Sequence, residues 1–246
     1  MKTGYPRFFV ARIIHQLAMR LLKIHHQREG HSVNGETTDQ PIYGRLAMVL
    51  DTLRHGQLCH SIMTEWSAAR SGGGAPSPDI QVHIVDWDGK IAMPGQEDAG
   101  EGGPARNIGD ENIILVSYPA ELALDAKAFW QHTGFGISSR RATHWLENAP
   151  FLSTHSSSVP TSSSLEAQQR VELAKAKLKQ RIAAGQSSDG LTVSPSDVFL
   201  FPTGMSAIAE TAAAIKDLRQ LTPDAPYRAV VFGSVLFPSP SLSPKN

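Results

Sequence analysis

The chain has 246 residues, of which 41% are hydrophobic, and its 23 basic residues balance its 23 acidic ones. This length and apolar content are enough for one large domain or two small ones, each with a real core. A formal net charge of +0 argues against a general nucleic-acid binder, which usually carries a basic stripe, and no apolar run in the sequence is long enough to cross a bilayer.

The only cysteine, Cys59, cannot form an internal disulfide, which favours a reducing compartment, and we expect a cytoplasmic protein. Its neighbours Leu58, Ile62 and Met63 are apolar, so we predict a buried thiol rather than a nucleophile. The ten histidines include no pair four residues apart, and no Cys-x-x-Cys occurs. We therefore predict no metal site.

The N-terminal segment supports two interpretations. Its first 28 residues contain six basic residues and no acidic one, a composition that amphipathic transit peptides share. The same stretch places Ile13, Ile14, Leu17 and Leu21 at helical spacing, which predicts an amphipathic core helix over residues 7–28. Organelle targeting stays open as the alternative.

A second amphipathic helix is predicted over residues 44–69, after a polar loop at 30–40. Its apolar face is formed by four residues at helical spacing: Leu46, Val49, Leu50 and Leu53. Gly56 is expected to interrupt this helix, since glycine is a poor helix former. A Gly- and Pro-rich connector follows at 71–78.

Strands are predicted in the next part of the chain. Residues 80–85 alternate as a strand, and residues 90–93 pair back with it as a short hairpin across a turn. Residues 95–107 are rich in glycine and acid and are expected to form a surface loop. The continuous apolar run at 113–116 suits a buried strand. We take residues 1–118 as an N-terminal helix-and-strand module.

The second half begins with an arm at residues 119–130. Residues 153–164 are rich in serine and threonine and are predicted to be a low-complexity loop. A charged helix with solvated faces follows over 165–184. Two strands, at 197–201 and 228–232, then flank a helix over 204–220, which together predict an incomplete βαβ unit.

The turn before this last helix is the strongest candidate site. Thr203, Gly204, Met205 and Ser206 connect the predicted strand to the helix. A helix N-terminus gathers unpaired amides and the positive end of the macrodipole, and a glycine removes the Cβ that would keep an anion away. The candidate ligand is a phosphate, with an ordinary αβ turn as the alternative, because the lysine of a nucleotide P-loop is absent.

Two ordered motifs then point to a family. Residues 126–142, AKAFWQHTGFGISSRRA, and residues 197–208, DVFLFPTGMSAI, resemble the longer, fungal-type branch of cystathionine gamma-synthase, and residues 3–9, TGYPRFF, are similar to its N-terminal extension. This branch belongs to the pyridoxal-phosphate enzymes of Cys/Met metabolism. The resemblance covers most of residues 1–233.

The resemblance implies an α/β fold in which the N-terminal α+β module is followed, over residues 119–233, by an incomplete large domain of pyridoxal-phosphate-dependent transferase fold type I. It assigns Thr203, Gly204 and Met205 to the cofactor phosphate. It also implies a homo-oligomer and a small amino-acid substrate, with cysteine replacing the acyl group of an activated homoserine ester. Such an enzyme needs a Schiff-base lysine and an acidic partner for the pyridinium nitrogen.

The chain departs from the family pattern after the phosphate turn. The family's lysine and pyridinium aspartate lie far downstream, whereas this chain ends about forty residues past Gly204, so no catalytic residue is assigned. Lys216 and Lys245 are interpreted as solvated side chains. Residues 234–246, with serines between prolines, are expected to be a disordered or non-native tail. We therefore expect an inactive fragment, or alternatively a non-catalytic binding protein derived from the family.

A further departure lies in the first motif. Bacterial relatives place a Tyr and an Arg there to hold the neighbouring subunit's phosphate, and the aligned positions are His132 and Gly134. Arg140 or Arg141 is a candidate replacement, because a guanidinium forks onto phosphate oxygens. The alternative is that both arginines flank the following helix, and that His132 has a partly buried structural role.

Overall fold

The structure, a computed structural model, describes residues 10–30, 40–71, 76–95, 112–152 and 165–220. The helices and strands in these ranges are, in chain order, α1 (Arg12–Arg28), β1 (Arg45–Leu50), α2 (Leu53–Arg70), β2 (Gln81–Val85), β3 (Ile91–Ala92), β4 (Ile113–Pro119), α3 (Ala123–Thr133), α4 (Ser139–Asn148), α5 (Leu165–Gln186) and α6 (Gly204–Gln220). None of the helices in the described ranges is both long and apolar enough to span a bilayer.

The four strands form one antiparallel sheet in the order β1-β4-β2-β3. β4 lies between β1 and β2, with Val116 opposite Met48 on one side and Leu115 opposite His83 on the other. A strand in this position is covered on both faces, and every β4 residue from 113 to 118 is buried. The predicted strand at 113–116, the strand at 80–85 and the hairpin that follows it are confirmed.

Helices cover both faces of the sheet, which makes a three-layer α/β/α arrangement with two cores. On one face α1 and α4 pack over Ala47, Val49 and Leu115, and on the other α2 and α3 pack over Leu50 and Val116. Successive strand residues therefore point into different cores, as the two-residue period of a strand requires. The fold class predicted from the sequence, α/β, is confirmed at this level.

The first core is built on α1. Its residues Leu17, Leu21 and Leu22 are fully buried. The rings of Trp87 and Trp145 belong to the same core and form a T-shaped pair with centroids 5.1 Å apart. The predicted amphipathic helix over 7–28 is thus confirmed from Arg12 to Arg28, whereas the described residues 10 and 11 precede the helix.

The predicted helix over 44–69 is wrong in its first third. Residues Arg45–Leu50 form β1, and α2 starts only at Leu53, where the Thr52 hydroxyl oxygen accepts the His55 N–H at 3.2 Å as an N-cap. The error has a physical cause. An apolar strand covered on both faces loses its polar alternation, so its apolar residues also match a helical spacing.

Gly56 does not interrupt α2, contrary to the prediction. It is buried where the helix comes closest to the sheet, and a Cβ there would lie 2.7 Å from Ile114 Cγ2 and 2.9 Å from Val82 Cγ1. The missing side chain therefore permits close packing of α2 on β2 and β4.

The part after residue 164 is more exposed. The charged helix predicted over 165–184 is confirmed as α5, and the helix over 204–220 as α6. The strand predicted at 197–201 is wrong: residues Pro195–Asp197 form a 3-10 turn, and only Val198 of the next four residues is buried. A strand needs a neighbour for its N–H and C=O groups, and the predicted partner at 228–232 lies outside the described residues.

Several other predictions also fall outside the described residues: the motif at 3–9, most of the loops at 30–40, 95–107 and 153–164, and the tail at 234–246. The boundary between residues 118 and 119 stays a prediction. Helices α3 and α4, which follow it, pack in the two cores beside the sheet.

Candidate functional site

The turn at the start of α6 is held by two reciprocal hydrogen bonds. The Ser206 N–H donates to the Thr203 hydroxyl at 3.0 Å, and the Thr203 N–H donates to the Ser206 hydroxyl at 3.1 Å. This is the capping-box arrangement, with serine in the third helical position instead of glutamate. Gly204, the first residue of the helix, is exposed, and nothing lies within 4 Å of the position that a Cβ would take.

The turn packs directly on the end of α3. Gly134, which ends that helix in the left-handed region at φ 65°, lies so close that a Cβ would come within 2.6 Å of both Met205 Cβ and Thr203 Oγ1. The Thr203 hydroxyl also donates to the Gly134 carbonyl at 3.4 Å. Glycine at 134 is thus required twice, by its backbone angle and by the close approach.

A second contact fixes α6 against α2. The Glu210 carboxylate accepts from the Arg54 guanidinium and pairs with His55 Nε2, each at 2.9 Å. The His55 ring stacks on Phe135, with centroids 3.9 Å apart and planes inclined by 9°. Phe135 follows Gly134, so the start of α6, the end of α3 and the start of α2 meet in one place. The sequence offered no signal for this contact, since more than 150 residues separate His55 from Glu210.

The structure brings the three predicted cofactor-phosphate residues, Thr203, Gly204 and Met205, together in this single turn. Their binding role stays a prediction. At this turn, Gly204 has no side chain to keep another group away from the backbone. The turn also lies at the N-terminus of a helix of 17 residues, which is the positive end of the helix dipole.

The two arginines of the first motif behave differently. Arg141 pairs with the Asp51 carboxylate and donates to the Asn112 carbonyl at 2.7 Å, so it joins α4 to the sheet and fits the structural alternative. Arg140 is exposed on α4, and its role stays untested. His132 is exposed rather than partly buried, because it lies on the outer side of the last turn of α3.

Cys59 is fully buried, with its Sγ 3.5 Å from Met63 Sδ and 3.6 Å from Met48 Sδ. Burial raises the pKa of this thiol to about 12. The predicted burial of Cys59 is confirmed, and a thiol with this pKa stays protonated at neutral pH. In the described ranges, no three His, Cys, Asp or Glu side chains are grouped so that they could hold a metal ion.

Comparison with known sequences identifies the class of protein to which this α/β unit belongs. Residues 13–138 match the family described as the N-terminal domain of fungal trans-sulfuration enzymes, from the first turn of α1 to the start of α4. The chain belongs to this family.

Three curated relatives are distant. The chain is 28% identical over 245 residues to one cystathionine gamma-synthase-like enzyme of Amanita muscaria and 28% identical over 261 residues to a second, with 84% of the chain covered in each case. It is 29% identical over 231 residues to an alanine racemase of Aspergillus violaceofuscus, with 87% covered. The chain spans only 37% of the length of each of these relatives. No solved structure matches it significantly.

Proposed function

We propose that this chain supplies the N-terminal domain and the cofactor-phosphate turn of a pyridoxal-phosphate-dependent enzyme of the trans-sulfuration type. The observation that carries the proposal is the open, capped turn at residues 203–206. The family supports it, as do the relatives, because cystathionine gamma-synthase-like enzymes and alanine racemases belong to families that use pyridoxal phosphate.

The residues of the turn fit the phosphate group. The exposed Gly204 lets an anion approach the first-turn backbone without meeting a Cβ, and the Thr203 and Ser206 hydroxyls already hold the turn in shape. The groups that would hold the phosphate are the amides of Gly204 and Met205 and the Thr203 side chain, at the positive end of the α6 dipole.

Pyridoxal phosphate, when bound, supplies an electron sink that stabilises carbanions. For the complete enzyme we propose γ-replacement, in which the sulfur of cysteine forms a bond to Cγ of an activated homoserine ester, the Cγ–O bond breaks, and the acyloxy group leaves as a carboxylate while the thiol loses its proton. No residue of this chain is assigned as the Schiff-base lysine, so we expect the chain alone to bind the phosphate group without forming cystathionine.

Calorimetric titration of the chain with pyridoxal phosphate and with pyridoxal tests the phosphate assignment. We expect pyridoxal to bind at least about tenfold more weakly, and Gly204→Glu to weaken the phosphate ester by a similar factor, since a carboxylate would repel it. Gly185→Glu is the matched control, because Gly185 also has nothing within 4 Å of its Cβ position. Equal binding of both aldehydes, or equal effects of both variants, would refute the phosphate role.

Borohydride reduction and mass spectrometry test separately whether a lysine of this chain forms a Schiff base with pyridoxal phosphate. We expect no stoichiometric adduct of pyridoxal phosphate on a single lysine. A specific adduct would show that this chain supplies the Schiff-base lysine, and the family assignment would still hold.

A non-catalytic binding protein is the second candidate, favoured by the large apolar side chains exposed between residues 165 and 220. They include Leu173, Leu178, Phe199, Ile208 and Leu218, each more than half exposed. Limited proteolysis distinguishes the two functions. If pyridoxal phosphate protects residues 165–220 from cleavage, the result supports the enzyme. If residues 1–150 form a resistant core and cleavage of the remaining residues is the same with and without the cofactor, the result supports the binding protein.

A further inference from the structure

A cavity of about 120 Å³ lies at the edge of β1 that faces away from β4, and β1 is an end strand of the described sheet. Ile14 and Ala18 of α1 form one wall, and Ala126 and Trp130 of α3 form the opposite wall. The segment between α3 and α4 also contributes to the lining, through residues 136–137. None of residues 203–206 lines the cavity, so it is separate from the candidate phosphate turn.

The space exists because small residues stand where helices and sheet meet. Ala18, Ala47 and Ala126 are buried, with exposed fractions of 1%, 4% and 2%. Their methyl side chains are too short to fill the space between the cavity walls. The atoms around such a space lack dispersion partners, so an apolar group that enters gains contacts that water supplies poorly. The interior therefore favours a hydrocarbon body.

The floor of the cavity adds polar groups. It contains the consecutive residues 47–50 of β1, and along an antiparallel strand alternate residues direct their N–H and C=O groups to opposite sides. Since β4 takes one side, two of these four residues direct their backbone groups to the other edge, where no strand among the described residues pairs with them. Backbone groups in that position need hydrogen-bond partners.

The charge of the lining is one-sided. Lys127 is exposed at the rim, whereas none of the lining residues is an aspartate or glutamate. A cation beside an apolar interior and strand-edge N–H donors complements a carboxylate joined to a hydrocarbon body.

We propose that this cavity binds a small apolar carboxylate, with its hydrocarbon body between α1 and α3 and its carboxylate at the rim beside Lys127. An apolar cavity of about 150 Å³ holds benzene, so a body of about five or six carbon atoms matches the size observed here. The site is independent of the proposed enzymatic function.

Titration of the full chain with hexanoate, hexanol and hexylamine, followed by NMR and thermal unfolding, tests the proposal. Hexanoate binds saturably and raises the unfolding midpoint, hexanol binds at least about fivefold more weakly, and hexylamine weakest of all. Lys127→Glu reverses the order of hexanoate and hexylamine. Lys177→Glu, the same charge change on the exposed surface of α5, leaves the order unchanged.

Ala47→Leu tests the location, because three added carbons fill the space. Hexanoate binding is lost while the unfolding midpoint stays equal or rises; unchanged hexanoate binding to the folded variant would exclude this cavity. If that variant does not fold, Lys127→Glu decides. Absence of saturable hexanoate binding to the wild type, equal binding of hexanoate and hexylamine, or equal effects of the two lysine variants would overturn the proposal.

Discussion

His25 on α1 and His83 on β2 lie in ring contact, with centroids 4.3 Å apart and planes inclined by 54°. His83 is 4% exposed, and its Nε2 is buried without a hydrogen-bond partner in the described structure. Burial lowers the pKa of His83 to about 4. The neighbouring His25 and Arg45 lower this pKa further, whereas the negative charge of Glu29 raises it. Burial also lowers the pKa of His25, again against the attraction of Glu29.

This pair makes stability depend on pH. Because the folded pKa of His83 lies below the ordinary histidine value of 6.5, the unfolded chain binds a proton over a pH range in which the folded chain does not. The free energy of unfolding is therefore at its full value above pH 6.5 and falls as the pH drops towards 4, by up to about 1.4 kcal/mol per pH unit for this one group.

Urea unfolding between pH 4 and pH 8 measures this dependence. We expect His83→Leu to flatten the profile over the range from 6.5 to 4, whereas His132→Gln, at an exposed position on α3, should leave it unchanged. A wild-type profile that is flat across this range would contradict the burial argument.

The close approach at Gly56 gives a second prediction. In an exposed helix, replacing glycine by alanine stabilises by up to about 1 kcal/mol. At Gly56 the new methyl group would lie 2.7 Å from Ile114 Cγ2, so overpacking should outweigh this gain and lower the free energy of unfolding by about 1–2 kcal/mol. Gly185→Ala in α5, with nothing within 4 Å, should instead stabilise. Urea unfolding of both variants checks the opposite signs.

How far the sequence predicts this fold depends on whether local pattern and burial agree. The apolar run of β4 and the apolar stripe of α1 each indicate, from the local sequence, the same element that the fold contains, and both were predicted. Residues 45–50 were wrongly predicted as helix. A strand covered on both faces lacks the alternation of apolar and polar residues, so its apolar residues also match the spacing of a helix stripe.

The candidate site shows the same division. The turn at 203–206 carries a local signature, a glycine at the first position of a helix, so its place in the chain was predictable. Its neighbours were not. Gly134 approaches it from 69 residues earlier in the chain, and His55 reaches Glu210 across 155 residues. No pattern within a short window carries such distant pairings.

Gly134→Ala should disturb the start of α6. Alanine in the left-handed region costs about 1–2 kcal/mol, and here its Cβ would also meet Met205 Cβ and Thr203 Oγ1 at 2.6 Å. Gly190→Ala is the matched control, since Gly190 has φ 89° but nothing within 4 Å. We expect hydrogen exchange of the Ser206 amide to accelerate in the first variant only. Equal exchange in both variants would mean that the contact with α3 does not hold the turn.

Cys59 offers a chemical probe of the second core. Only the thiolate reacts with a maleimide, and burial both raises the pKa of Cys59 to about 12 and keeps the reagent out. At pH 7.5 we therefore expect labelling at least about 100-fold slower than in urea, because reaction must wait for the core to open. Gln57→Cys adds an exposed thiol on the same helix as the control, and it should react at once. Comparable rates for Cys59 and the introduced thiol would show that α2 does not pack on the sheet through this face.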